Sequence, residues 1–89
     1  MPDELDRQRI DRWLWHARVV RTRGAAAALA LAGYVRVNGI RVDGPGRFVR
    51  AGDVVTVALD RTVRILKVRS FAPRRGPAGS TATLYEDLR

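Results

Sequence analysis

The stretch that decides the fold is residues 9–20, which reads RIDRWLWHARVV. Its apolar residues recur at the i, i+3, i+4, i+7 spacing of one helix face: Ile10, Trp13, Leu14 and Ala17. Asp6 stands just ahead of the run, where a short acidic side chain typically caps a helix. The sequence therefore predicts a first helix over 9–20, with Trp13 in the core.

A second helix is predicted over residues 23–32, where six of the ten residues are alanine. Thr22 is suited to cap its first turn, and Gly33 suits the left-handed position just beyond its end. Because only Arg21 and Thr22 separate the two predicted helices, we expect them to form a helical hairpin.

From Tyr34 onward the pattern becomes that of strands. Residues 35–37 and 40–42 alternate apolar and polar side chains, and Asn38-Gly39 between them is typical of a two-residue hairpin turn. Turn residues divide the remainder into these segments: a loop over 44–46, strands over 54–59 and 62–69, a break over 73–77, and a stretch over 81–89 that is either a short helix or extended.

These elements predict an α+β fold in which the helical hairpin packs on a small, curled, mostly antiparallel β-sheet. The predicted organisation is a flexible acidic N-terminus over 1–8, one nucleic-acid-binding domain over 9–70 and a C-terminal tail over 71–89. The tail either packs on the sheet or swings free after Phe71.

Composition narrows the class of protein. The 89 residues carry 17 Lys+Arg against 9 Asp+Glu, for a net charge of +8, and Lys67 is the only lysine. The chain has no Cys and one His, which excludes disulfides and Cys-based zinc sites, and no metal or other cofactor is expected. The longest uncharged run, 24–35, is too short to span a bilayer, and the acidic start does not resemble a signal peptide. We expect a cytoplasmic protein.

Arginine side chains concentrate on the predicted helical hairpin, which carries Arg9, Arg12, Arg18, Arg21 and Arg23. A guanidinium binds phosphate through a planar fork, and the start of a helix also favours anions. Thr22 can cap the second helix and still leave its amides near a phosphate. The pattern favours a nucleic-acid surface over a merely solvated basic face.

Other residues on the first helix leave alternatives open. Trp15 either points to solvent beside Arg18, where it could stack on an unpaired base, or folds against the sheet or tail. Asp11 either pairs with a neighbouring arginine and orients it or is an exposed charge. His16 could touch a phosphate, but is expected to be an exposed surface histidine.

The predicted β-hairpin extends the basic surface. Arg36 and Arg41 flank its turn, and Asn38 is predicted to form the turn, a role that is compatible with base contact.

Catalysis is not expected, because no acid and base pair is positioned for it and residues 44–47 lack the Lys-Ser/Thr of a phosphate loop. Three functions remain: an RNA-binding module, a DNA-binding protein that uses the second helix, and a protein-interaction module with an incidental basic face. The Ala and Leu side chains of the second helix disfavour DNA, since they present no hydrogen-bonding fork to base edges. No small-molecule substrate is expected.

The combination of these motifs resembles the S4 RNA-binding domain and, more narrowly, the bacterial heat-shock protein 15 family. The matching residues are RIDRWLW at 9–15, Arg18, RTR at 21–23, Gly33, Val35, VNG at 37–39 and Gly52-Asp53, with a weaker likeness at 74–77 and 84–86. The resemblance covers almost the whole chain, and the first fifteen of the matching positions are specific for the family only when they are taken together.

The resemblance implies a helical hairpin that presses on structured RNA while the sheet supports it from behind. It implies binding to ribosomal RNA, or ribosome-bound transfer RNA, on the large ribosomal subunit in stalled-ribosome rescue or recycling. The RNA contacts that it implies are Arg9, Arg12, Arg18, Arg21, Thr22, Arg23 and Asn38. Longer family members carry a basic C-terminal extension with no counterpart after Arg89, so weaker ribosome docking is expected.

Overall fold

The structure, a computed structural model, describes residues 6–88. Its elements in chain order are β1 (Arg7–Arg9), α1 (Ile10–His16), α2 (Arg23–Leu31), β2 (Val35–Val37), β3 (Ile40–Arg41), β4 (Phe48–Arg50), β5 (Val54–Ala58), β6 (Val63–Val68), a 3-10 helix (Ala78–Thr83) and β7 (Tyr85–Asp87). Most of the predicted acidic N-terminus, residues 1–5, lies outside the described residues. Arg7 and Gln8 belong to a strand, so for them the prediction of a flexible segment is wrong.

The strands form one larger sheet and one short ribbon. Five strands pair antiparallel in the order β3-β2-β5-β6-β7, and β1 pairs antiparallel with β4. The sheet's inward face and the two helices enclose an apolar core that includes Trp13, Leu14, Val35, Val57 and Leu66, all fully buried. The predicted α+β fold, a helical hairpin on a mostly antiparallel sheet, is confirmed.

The two ends of α1 differ from the prediction. Asp6 does not cap the helix; instead the N–H of Ile10 donates to the carbonyl of Arg47 at 2.7 Å, and that of Asp11 to Pro45 at 3.3 Å. At the other end the helix stops at His16, four residues before the predicted end. Arg18 there adopts φ 61°, a left-handed conformation that a helix interior cannot contain.

The start and end of α2 agree with the prediction from the sequence. The Thr22 hydroxyl accepts a hydrogen bond from the N–H of Ala25 at 3.0 Å, which confirms the cap. Gly33 has φ 88°, and the N–H of Tyr34 reaches back to the carbonyl of Leu29 at 3.0 Å. This is the Schellman arrangement expected of a glycine just beyond a helix.

The predicted hairpin turn is also confirmed. Asn38 and Gly39 have φ values of 53° and 82°, as a type I′ turn requires at both central positions. The register pairs Arg36 with Arg41, so these two side chains share the outward face of the hairpin.

The C-terminal tail packs against the rest of the domain. Strand β7 pairs with β6, and Leu84 ahead of it is 5% exposed within the core. Before the 3-10 helix, residues 70–76 cross over α1; we call this segment the strap.

No helix within the described residues is long and apolar enough to cross a membrane.

Candidate nucleic-acid interface

The site is organised around the buried carboxylate of Asp11. Arg9 donates to it through two nitrogens at 3.2 Å each, and Nε of Arg23 donates at 3.4 Å. The Asp11 side chain is 5% exposed, whereas the two arginine side chains are each 43% exposed. The alternative of an exposed Asp11 is therefore wrong, and the pairing alternative is confirmed.

This ion-paired cluster of Arg9, Asp11 and Arg23, which we call the Asp11 group, joins the two helices and leaves hydrogen-bonding capacity on its outer side. Asp11 lies in α1 and Arg23 is the first residue of α2. A guanidinium carries five N–H donors, and those of Arg9 and Arg23 that do not face the carboxylate are available to an anion from solvent. The geometry thus brings two predicted RNA-contact residues to one exposed position, with their orientation fixed from beneath.

His16 lies just behind this group and is not the exposed residue that the helix pattern predicted. It is 2% exposed, and its Nδ1 lies 3.1 Å from the carbonyl oxygen of Ala72. A carbonyl only accepts, so Nδ1 carries the proton in the neutral ring. Burial lowers the pKa of His16; the hydrogen bond to the Ala72 carbonyl opposes this to a lesser extent, and the positive charges of Arg12, Arg23 and Arg75 each lower the pKa further by a smaller amount.

Guanidiniums from three parts of the chain thus act electrostatically on the imidazole. Arg12 belongs to α1, Arg23 to α2 and Arg75 to the strap. Arg12 is exposed, and it makes a long contact of 3.5 Å with the carbonyl of Pro73. The positive charges therefore concentrate at one region of the surface.

The strap engages the other flank of α1, including two predicted RNA contacts. Arg18 donates to the carbonyl of Gly76 at 2.9 Å and is only partly exposed. Trp15 is half-buried; its carbonyl accepts from Nε of Arg75 at 3.0 Å, and the Arg75 guanidinium lies 5.9 Å from the centre of its ring. Of the two alternatives for Trp15, the structure shows the one in which the tail covers part of the ring.

The strap is fixed by further donors from the first helix and strand. Nε1 of the buried Trp13 donates to the carbonyl of Ser70 at 3.2 Å, and the amide of Gln8 donates to that of Ala72 at 3.0 Å. Arg18 and Trp15 consequently hold the strap in place, while Arg9 and Arg23 bind the Asp11 carboxylate and Arg12 reaches the strap at Pro73.

The turn between the helices adds exposed polar groups to this surface. Arg21 and Thr22 are both exposed there. The Thr22 hydroxyl accepts from the first turn of α2, so its own hydrogen remains available as a donor. A ligand at the start of α2 would meet both side chains.

The β-hairpin contributes a second basic position. Arg36 and Arg41 are exposed on its outward face, and Arg36 donates to the carbonyl of Gly39 at 3.2 Å. The Asn38 amide donates to Asp53 at 3.1 Å and accepts from the N–H of Val54 at 2.9 Å. Asn38 therefore forms the turn as predicted, and both atoms of its amide are engaged within the fold.

The loop between β3 and β4 packs against the start of α1. The guanidinium of Arg9 lies against Gly46, and a cleft of about 470 Å³ extends from there along the loop. Its lining residues are Ile40, Arg41, Asp43, Gly44, Gly46 and Arg47. Arg41 thus lines the cleft, and Arg9 lies beside Gly46 in its wall.

The sequence pattern missed the ribbon of β1 and β4. Arg7 in β1 places its guanidinium 4.5 Å from the centre of the Phe48 ring in β4. Burial alternates along both strands in the structure, but RQR is polar throughout and FVR has only three residues, so neither shows an apolar–polar alternation long enough to predict a strand.

Comparison with known proteins identifies this arrangement of helices and hairpin. The sequence profile of the S4 domain matches residues 8–55, more than half of the chain. The chain belongs to the S4 domain family.

Curated relatives of this S4 protein carry the name heat shock protein 15. The protein from Escherichia coli strain K12 is 34% identical over 79 residues, which are 89% of this chain and 59% of that protein. The homolog from Aeromonas salmonicida is 35% identical with the same coverage. The chain thus spans about three fifths of the length of these relatives.

A solved structure supports the same relationship. The trimeric structure of Vibrio cholerae heat shock protein 15 superimposes with a TM-score of 0.84 and 28% sequence identity. The match covers 91% of this chain and 81% of that one.

The residues that match the S4 profile include the Asp11 group and the arginines of the β-hairpin, but not the strap. Residues 70–76 lie beyond its end at position 55. Among the described residues, no three His, Cys, Asp or Glu side chains come together as a metal site would require.

Proposed function

We propose that this S4 protein is a non-catalytic, cytoplasmic RNA-binding protein that binds structured ribosomal RNA on the large ribosomal subunit. Its role there is in the rescue or recycling of stalled ribosomes. The observation that carries the proposal is the exposed pair Arg9 and Arg23, held over the buried Asp11 carboxylate at the junction of the two helices.

The proposed contacts fall into two groups. Arg9, Arg12, Arg21, Thr22 and Arg23 bind the phosphate backbone at the helical hairpin, because they are at least partly exposed and lie on or beside one surface. Arg36 and Arg41 extend the footprint along the β-hairpin. Arg18 and Trp15 act chiefly as positioning residues through the strap, and Asn38 through the turn.

RNA is favoured over duplex DNA by the exposed side of α2. Ala28 and Leu31 are exposed there, with Leu31 at 65%. Neither side chain offers a donor or acceptor to a base edge, so α2 lacks the features of a recognition helix for a major groove. Binding through backbone shape and charge instead suits folded RNA.

The experiment has an arm in vitro and an arm in cell extract. We expect a ribosomal RNA fragment to bind with an affinity that falls steeply with salt. If each of the six proposed arginines neutralises one phosphate, the log–log slope is about −4 to −5.5. Duplex DNA of equal length should compete poorly. A slope near zero, or equal competition by DNA, contradicts the proposal.

Sucrose-gradient fractionation tests the ribosomal partner. We expect the wild-type protein to sediment with free large subunits, and the double variant Arg9→Gln, Arg23→Gln to remain at the top of the gradient. The matched control, Arg61→Gln with Arg69→Gln, removes the same charge from two exposed positions next to the strands and should sediment like wild type. Equal loss in both variants would mean that net charge alone drives the association.

A further inference from the structure

The β1–β4 ribbon presents an unusual outward face. Arg9 pairs with Phe48 and Arg7 with Arg50, whereas Gln8 and Val49 between them point inward and are 6% and 0% exposed. Because side chains alternate along a strand, the outward face consists of three arginines around one phenylalanine: Arg7, Arg9, Arg50 and Phe48.

Phe48 is an apolar ring left accessible at the protein surface. It is 44% exposed even with the Arg7 guanidinium above it. A cleft of about 330 Å³ opens beside the ring, lined by Arg7, Gln8, Arg9, Arg12 and Phe48, and no acidic residue between positions 6 and 88 lines it. The cleft is large enough for a single nucleotide, and its lining combines an aromatic surface with three positive charges.

We propose that Phe48 is the stacking site for one unpaired base of the bound RNA, with the adjoining phosphates held by Arg7, Arg9 and Arg12. This inference rests on the proposed function, because the site lies next to the RNA surface and adds a base contact to it. Arg9 belongs to both, since it also donates to Asp11. A strand of RNA leaving the Asp11 group therefore reaches the ring directly.

A stacked base competes effectively with the contact that the ring already makes. Stacking of a base on an aromatic side chain strengthens binding by roughly 5- to 100-fold. An exposed guanidinium over a ring contributes only about 2- to 5-fold. Arg7 can therefore leave the ring for a phosphate when a base arrives. An acidic peptide would satisfy the arginines but leave the apolar ring uncovered, which favours a nucleotide.

The test uses one stem-loop RNA with single-stranded ends of three nucleotides, made either of adenosines or of abasic residues. Both RNAs carry the same phosphates, so the ratio of their dissociation constants, measured by fluorescence anisotropy, isolates the bases. We expect wild type to bind the adenosine RNA roughly 5- to 100-fold more tightly than the abasic RNA.

Variants assign that preference to the ring. Phe48→Leu should reduce it to less than about twofold while leaving the affinity for the abasic RNA unchanged, since the charges remain. Phe48→Tyr should restore the preference. Tyr34→Leu removes another aromatic side chain, 54% exposed, at the end of α2 and should retain it. Thermal unfolding of each variant verifies that the fold is intact.

The outcomes separate this inference from the proposed function. Binding of both RNAs without a preference for adenosine, or a preference that persists in Phe48→Leu, overturns the stacking site alone. Failure to bind either RNA overturns the proposed function as well. Displacement of the adenosine RNA by polyglutamate from wild type but not from Phe48→Leu would assign the site to an acidic protein segment and also overturn it.

Discussion

The carboxylate of Asp11 lies 3.4 Å from Nε of Arg23, so the first helix holds the first residue of the second in a fixed orientation. The same carboxylate binds Arg9 and is almost completely buried. One acidic side chain thus sets the position of two exposed guanidiniums.

The substitution Asp11→Asn tests this arrangement. It keeps the shape but removes the charge, and we expect the free energy of unfolding to fall by about 1–3 kcal/mol, because one acceptor oxygen is replaced by an NH2 donor that faces the guanidiniums. RNA affinity should fall about fivefold, equivalent to ~1 kcal/mol, although the variant is more basic. Urea denaturation and RNA titration measure the two effects.

A control separates orientation from charge. Asp60→Asn makes the same change of charge at an exposed turn. We expect its free energy of unfolding to lie within about 0.5 kcal/mol of the wild-type value and its RNA binding to be slightly tighter. If Asp11→Asn also bound RNA more tightly, the carboxylate would have no orienting role.

The backbone of Arg18 gives a second prediction. Its φ of 61° is unfavourable for any residue with a Cβ, and the Schellman bonds of Arg18 to Trp15 and of Val19 to Leu14 impose it. Both Arg18→Gly and Arg18→Ala remove the hydrogen bond to Gly76, so their difference isolates the backbone. We expect the glycine variant to be more stable than the alanine variant by about 1 kcal/mol in urea denaturation. Equal stabilities would contradict a strained position.

His16 predicts a pH dependence of stability. Burial lowers its pKa in the folded protein, so the unfolded chain takes up the proton more readily. The contribution of neutral His16 to the free energy of unfolding is fully present above its pKa in the unfolded chain, about 6.5. It is lost as the pH falls below that value towards the lower pKa of the folded protein. Wild type should therefore lose stability between pH 7.5 and about 5 relative to His16→Asn, an amide that does not titrate. Parallel pH profiles in urea denaturation would refute the assignment.

The buried tail gives the fourth prediction. Leu84 is 5% exposed in the core, and Leu84→Ala should lower the free energy of unfolding by about 2–5 kcal/mol. Leu88→Ala, at a residue 44% exposed, should cost less than about 1 kcal/mol. Similar small losses from both would show that the tail does not belong to the cooperative unit.

Local chemistry explains which elements were predictable. Thr22, Gly33 and the Asn38-Gly39 turn act through neighbouring backbone atoms, and each adopts the predicted conformation. The end of α1 was not predictable in this way, because Arg18 occupies a position where glycine is typical and its guanidinium bonds to Gly76, far along the chain.

Long-range contacts also explain the errors at the site. A helical pattern places Trp15 and His16 away from the core, and it contains no information about the strap that covers them. Strand β1 was missed for the same reason, since its partner β4 lies about forty residues later. The close approach of Arg9 and Arg23 depends on how the two helices cross, which the sequence pattern does not show. That both residues belong to a basic surface was predictable from the composition and from their positions on the predicted helices.

The strap is bound to α1 mainly through its main-chain oxygens, which accept from Trp13, His16 and Arg18. Every amino acid supplies such an oxygen. A substitution of a strap side chain that makes no contact of its own therefore leaves this attachment intact, whereas the donors beneath the strap are not interchangeable.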